Sequence, residues 1–166
     1  MSKPSSVLRR KATKAPVLPL VSFDIAARVH AALTSLSEHR LPKPIVWFRD
    51  QNTLASIYVS ELPPLIEIHE ILNISALPVW VFDHILLHEF THLLVPPREV
   101  DGKLKFHPPE FWELERCVSP EGNQATEWLF SSFHAELVRD QEEECVRVKR
   151  GWRKRTMDRA FSSDER

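Results

Sequence analysis

The spacing of apolar residues changes period along the first half of the chain. Between Ser22 and about Glu38, the residues Ile25, Val29, Leu33 and Leu36 recur at helical spacing, with Ser22 as a cap for the first turn. Leu41-Pro42-Lys43-Pro44 cannot continue that helix and predicts an extended exit. Three strand-like stretches follow. Ile45 to Phe48 is β-branched or aromatic throughout. Thr53 to Glu61 alternates, with Ala55, Ile57 and Val59 opposite Ser56, Tyr58 and Ser60, and Leu65 to Ile71 sets Ile66 and Ile68 against Glu67 and His69. Links this short favour an antiparallel meander with one face on the core, which turns Glu67 and His69 toward solvent.

From Leu77 to Val95 the period returns to that of a helix, and Phe82, Ile85, Leu86, Leu87, Phe90, Leu93 and Leu94 are apolar almost all round. Such a helix belongs inside a core. Asn73 or Ser75 is expected to open it, Pro78 is tolerated in its first turn, and Pro96-Pro97 stops it. Asp101-Gly102, between two short arms over Arg98 to Phe106, predicts a hairpin that folds the chain back to His107. Pro108-Pro109 then starts a helix through Glu110, Phe111, Trp112, Leu114 and Cys117, placing His107 at its N-cap. After the break at Ser119-Pro120-Glu121-Gly122, a longer helix is expected from about Asn123 to Arg150, burying Trp128, Leu129, Phe133 and Leu137.

With 166 residues the chain suits one domain with tails: a flexible basic arm over 1–20, the domain over 21–150 and a basic tail over 151–166. The composition, 43% hydrophobic and 27% charged, is that of a soluble globular protein. Cys117 and Cys145 are the only cysteines, which excludes a zinc ribbon and argues against a disulfide framework. No run of apolar residues is long enough for a membrane span and no signal-peptide core is visible, so the expectation is a cytoplasmic protein without a membrane partner.

The net charge of −1 conceals an asymmetry: residues 1–14 carry five basic residues and no acid, and residues 149–166 carry seven basic against three acidic. The basic ends are either solvated tails or arms for nucleic-acid phosphates, with Trp152 as a stacking platform for an unpaired base.

The chemistry lies inside the apolar helix. His88-Glu89-Phe90-Thr91-His92 puts two imidazoles four residues apart on one helical face, and Glu89 one residue round from the first. This is the H-E-x-x-H arrangement of zinc hydrolases, in which the two histidines ligate and the glutamate serves as base. The plain alternative is a pair of core histidines bonded to a carboxylate. Burying those groups in so apolar a helix costs free energy unless they pair or hold a metal, and that favours the metal. His84 lies one turn earlier on the same side, lining the cleft or supporting a ligand, and Asp83 is a weaker candidate for support. His30 and His69 read as surface histidines.

A catalytic zinc takes three protein ligands and leaves one position open. The metzincin spacing is absent, because Arg98 stands six residues after His92 and Val95 stands where a glycine is needed. A glutamate on a later helix is open to consideration, at Glu110, Glu113, Glu115 or Glu127, and so is His107. The hairpin gives the chain enough length to bring His107 back, and Pro108-Pro109 limits the entropy lost in holding its imidazole. On that reading Glu110 orients a ligating imidazole rather than binding the metal.

His107-Pro108-Pro109-Glu110-Phe111-Trp112 resembles the H-x-x-x-F-W and H-G-P-E-F segments of the SprT-like and YgjP-like metallopeptidases. The order of elements is also similar to theirs: a helix, a few strands, Ile66-Glu67-Ile68 followed by Asn73, then Leu86-Leu87-His88-Glu89. The resemblance covers roughly residues 22–118. It departs from the family in having Phe106 and Pro108, not glycine, beside His107, and in lacking a following zinc ribbon.

The resemblance implies an α+β, zincin-like fold, with a small antiparallel sheet packed on the active-site helix and further helices on both sides. It implies one zinc ion per chain on His88, His92 and His107, with Glu89 as catalytic base. It further implies hydrolysis of protein or peptide substrates, with DNA-associated proteins as one class and the basic termini as tethers. An exposed strand edge near the site would hold an extended peptide by backbone pairing. Two alternatives accompany this expectation: a non-proteolytic adaptor with structural zinc that binds nucleic acid, and a hydrolase of non-peptide substrates.

Overall fold

The computed structural model describes residues 15–142 and 144–162. Its architecture is α+β, with helices on a small sheet and two separate hairpins. Helix α1 spans Ile25–Ser35 and is capped by Asp24, whose carboxylate accepts from the backbone N–H groups of Ala26 and Ala27. The cap is therefore Asp24, not Ser22, because the carboxylate two residues later reaches the unpaired donors of the first turn. Before the helix, Val17 bridges Phe48, and the Asn73 side chain accepts from the Leu20 N–H and donates to the Leu18 carbonyl. Asn73 thus ties down the segment preceding α1 instead of opening the next helix.

The central sheet has strands β1 (Ile45–Arg49), β2 (Ala55–Tyr58) and β3 (Leu65–His69) in the order β1-β3-β2. β2 pairs antiparallel with β3, but β1 pairs parallel with it, so the sheet is mixed and the simple meander is overturned. β3 is the middle strand, and all five of its residues are buried. Its alternation of apolar and polar side chains had suggested a half-exposed strand. Instead, Glu67 is buried against Arg49 and His69 is covered by Trp152, with their ring centroids 5.1 Å apart. Glu67 is tolerated there through its ion pair with Arg49, and His69 through the Ile71 N–H donated to its Nδ1. His69 Nε2 is buried without a hydrogen bond among the described residues.

Helix α2 (Val79–Leu94) runs through the core, with Val81, Phe82, Leu86 and Phe90 fully buried. Each such side chain contributes roughly 1.5–3 kcal/mol relative to exposure, which anchors the helix that carries the candidate chemistry. Pro78 is its N-cap, and neither Asn73 nor Ser75 caps it. The chain leaves α2 through Pro96-Pro97 into strands β4 (Arg98–Val100) and β5 (Lys103–Lys105). Asp101 and Gly102 between them have φ of 52° and 74°, the left-handed pair that a two-residue hairpin turn requires. Helix α3 (Pro109–Val118) follows, with Pro108 as N-cap and Pro109 at its start, so His107 stands one residue before the cap.

The long helix expected over Asn123 to Arg150 is replaced by three elements. Helix α4 covers Gly122–Ser132, strands β6 (Leu137–Asp140) and β7 (Cys145–Val148) form a hairpin, and helix α5 covers Trp152–Ser162. The hairpin persists because it finds backbone partners far away: Leu54 N–H donates to the Val146 carbonyl at 2.8 Å, and Val148 N–H to that of Asn52 at 2.9 Å. Leu137 is buried as expected, though in a strand. Tertiary pairing of a Val-rich segment outweighs its helical spacing here. The described part of the C-terminal segment is likewise helical. Of the flexible arm expected over 1–20, residues 15–20 are held instead by Phe48 and Asn73, and residues 1–14 lie outside the described residues. Among the described residues no helix is long and apolar enough to cross a membrane.

Candidate metal centre

Helix α2 stacks His88 and His92 one turn apart, with ring centroids separated by 5.2 Å. The β4–β5 hairpin and the Pro108-Pro109 junction return His107 to them, 5.1 Å from the His88 ring and 4.8 Å from the His92 ring. One nitrogen from each histidine lies within 4.8 Å of the others, close enough for all three to bind one metal ion. The Nε2 atoms of His88 and His107 are 3.2 Å apart. Tetrahedral coordination with metal–nitrogen bonds of ~2.0–2.1 Å needs nitrogen–nitrogen edges of about 3.3–3.4 Å, so this pair is already near ligand spacing. Phe111 packs behind all three rings at 4.5–4.9 Å, and Trp112 stacks on His107 at 5.0 Å.

A second layer orients the triad. Glu115 Oε1 lies 2.6 Å from His88 Nδ1, which leaves the lone pair of His88 Nε2 for the centre. Glu115 was one of several possible glutamate ligands in the sequence. In the fold it reaches the side of the His88 imidazole that faces away from His92 and His107. Glu110, expected in that role, pairs instead with Arg98 at the surface. Asp83 pairs with Arg28 of α1 and so supports helix packing rather than the site. Glu113 and Glu127 are exposed and do not join the triad.

His84 is buried, lines the cleft and bonds through Nδ1 to the Ser119 hydroxyl at 2.8 Å. Its ring centroid stands 6.4 Å from that of His88, and it does not belong to the group of three converging histidines. Its ring is the reason for glycine at position 122, where a Cβ would stand 2.9 Å from His84 Cε1. The sequence signal for Glu115 was present but weak. Phe111, Trp112, Glu115 and Ser119 recur on one side of α3, the side that faces the histidines.

The electrostatics follow from burial. Glu89, only 3% exposed, is pushed up to about 7 by desolvation, with Glu115 adding to the rise and the His88 charge opposing it. His92 is pushed down to about 3 by burial and by the neighbouring charges of His88 and His107. It is therefore neutral at ordinary pH, the form in which imidazole ligates. Burial also opposes charge on His88, but its bond to Glu115 and the charges of Glu89 and Glu115 prevail and raise it. The same bond holds Glu115 below its usual range despite desolvation.

The triad opens on a cleft of about 730 Å³. His84, Ile85, His88, Glu89 and His92 form its floor along α2, and Ala55, Ser56 and Ile57 of β2 supply a wall. β2 is an edge strand of the central sheet. Pro96, Pro97, Phe106 and Val59 make one end apolar, while Arg116, Asn123, Thr126 and Arg139 make another flank polar. The geometry therefore offers a three-imidazole metal site, a buried carboxylate beside it and room for a ligand. Comparison of the chain with protein-family models, curated proteins and solved structures yields no match.

Proposed function

We propose that this protein is a zinc-dependent metallopeptidase with a zincin-like arrangement. The observation that carries this reading is the convergence of His88, His92 and His107 on one point, with buried Glu89 on the floor of the same open cleft. An all-imidazole donor set with a carboxylate behind one ligand suits zinc. A purely structural zinc site is normally closed by four protein ligands and needs no base, so the cleft and Glu89 favour catalysis.

When bound, zinc supplies a Lewis acid for the scissile carbonyl and for the attacking water. Glu89 accepts a proton from that water and passes it to the leaving amine, and its burial suits it to hold a proton near neutral pH. Glu115 fixes the tautomer and direction of His88, while Phe111 and Trp112 keep water from behind the imidazoles. An extended protein or peptide substrate would add its backbone as a further strand along edge strand β2, whose Ala55, Ser56 and Ile57 line the cleft.

In the test, Glu89→Gln keeps zinc and fold but loses hydrolysis of a denatured, fluorophore-labelled protein, whereas His88→Ala loses both zinc and hydrolysis. Wild-type rates in the Glu89→Gln protein would remove Glu89 as base. A zinc-loaded wild type that cleaves nothing would return the chain to the adaptor reading.

A further inference from the structure

Arg28, Arg49, Arg98, Arg147 and Arg153 each pair with a carboxylate. Arg116 and Arg139, both exposed and both lining the cleft, make no ion pair among the described residues. Arg116 is one turn along α3 from Trp112 and next to Glu115. Arg139 lies on β6 opposite Val146, another cleft residue, and its guanidinium sits over the Phe130 ring at 5.7 Å. The Trp112 indole N–H approaches Glu144 Oε2 at 3.4 Å, so α3 and the β6–β7 hairpin meet at the cleft.

Arg40, Lys43, Lys103 and Lys105 also lack an ion pair among the described residues, but of these six cations only Arg116 and Arg139 line the cleft. Between residues 15 and 148 the chain carries ten basic residues against twenty acidic ones. Carboxylates are thus in excess, yet none among the described residues pairs with these guanidiniums. The carboxylates that do line the cleft are engaged: Glu115 with His88 and Glu144 with Trp112, while Glu89 is buried in the floor. Within a concave wall a guanidinium attracts an entering carboxylate more strongly than on an open surface. A guanidinium resting on an aromatic face is also preorganised, so less side-chain entropy is lost when it grips a carboxylate.

Resting on the peptidase reading, we infer that the cleft selects substrates with an aspartate or glutamate side chain near the scissile bond, held by Arg116 and Arg139. The α3 and β6 flank is thereby the specificity wall, opposite in character to the apolar end formed by Pro96, Pro97 and Phe106.

The test uses the full-length, zinc-loaded Glu89→Gln protein, which binds without turnover, and short fluorescein-labelled peptides with amidated C-termini. A peptide with paired glutamates should bind about 10-fold or more tightly than its glutamine counterpart, and the lysine counterpart should bind weakest. Arg116→Gln and Arg139→Gln should each reduce that preference, and the double substitution should abolish it. Arg139→Glu should shift the preference toward the lysine peptide. Equal affinity for the glutamate and glutamine peptides, or a preference that survives the double substitution, would overturn the inference. So would a peptide lacking acidic side chains but ending in a free carboxylate, if it bound as tightly and with the same arginine dependence. Acid-selective binding with no cleavage by wild type sinks the peptidase reading alone. Cleavage without acid preference sinks this inference alone.

Discussion

Two regions of this molecule bury histidine, and they do so in opposite ways. At the end of β3, His69 is fully buried. Its Nδ1 accepts from the Ile71 N–H, its Nε2 lies 3.4 Å from Asp50 Oδ1, and Trp152 covers its ring. Arg153 completes the cluster by pairing with Asp50 and Glu70. Asp50 and Glu70 thus share the charge of Arg153, and His69 lies among them in its neutral form. At the other site His88, His92 and His107 bring like donors together, with nitrogens converging on a cleft and the carboxylate of Glu115 behind one ring. Complementary partners mark a cluster that holds the fold. Like donors drawn close about a common point suit a cation.

The sharpest way to break this contrast is to remove ligands and their supports separately. His107→Ala is expected to lower zinc affinity by orders of magnitude. Glu115→Gln, which leaves His88 in place but weakens its orientation, should cost about 10–100-fold. Glu110→Gln should change little, because Glu110 pairs with Arg98 at the surface, and exposed pairs are worth ~0–1 kcal/mol. A competition titration against a chromophoric chelator gives the order. If Glu110→Gln proved more damaging than Glu115→Gln, the second layer would be wrongly assigned.

The His69 cluster should reveal itself through pH. Burial pushes His69 down to about 4, with Asp50 opposing and Arg153 reinforcing the shift, whereas in the unfolded chain it titrates near its ordinary value of 6.5. The unfolded state therefore binds a proton that the folded state refuses. The His69 contribution is complete above pH ~6.5 and is lost as pH falls toward ~4, by about 3 kcal/mol at most. Urea unfolding of wild type and His69→Gln across this range measures the difference. Parallel curves would show that His69 does not titrate as a buried neutral group.

A smaller effect tests the wall between His84 and α4. Gly122→Ala places a methyl against the His84 ring, which is buried and held by Ser119, and overpacking of this kind costs roughly 1–3 kcal/mol. Thermal unfolding of the zinc-free protein isolates that cost from any change in metal binding. An unchanged melting temperature would show that the ring yields freely.

Zinc-site candidates were legible because they rest on local geometry. Helical spacing alone stacks His88 on His92, and Pro and Gly punctuation alone signals the return of the chain to His107. The partner of His88 was not legible: Glu110, Glu113 and Glu115 share one short helix, and only the angle of α3 on α2 decides which carboxylate arrives. Trp152 shows the same limit. In a basic segment it resembled a base-stacking residue, but it packs on His69 and its indole N–H approaches Asp50 at 3.4 Å.

By itself the sequence determined the apolar helix over Val79–Leu94, the tight turn at Asp101-Gly102 and the three histidines, because each depends on residues a few positions apart. Tertiary structure decided the parallel placement of β1 beside β3, the burial of Glu67 and His69, and the breaking of a long helical pattern into α4, a hairpin and α5. Those outcomes depend on hydrogen-bond and ion-pair partners such as Asn52 for Val148 and Arg49 for Glu67, which lie outside the element they hold, 18 residues away in the case of Glu67. A strand's exposure is set by what covers it, and no periodicity within the strand records that.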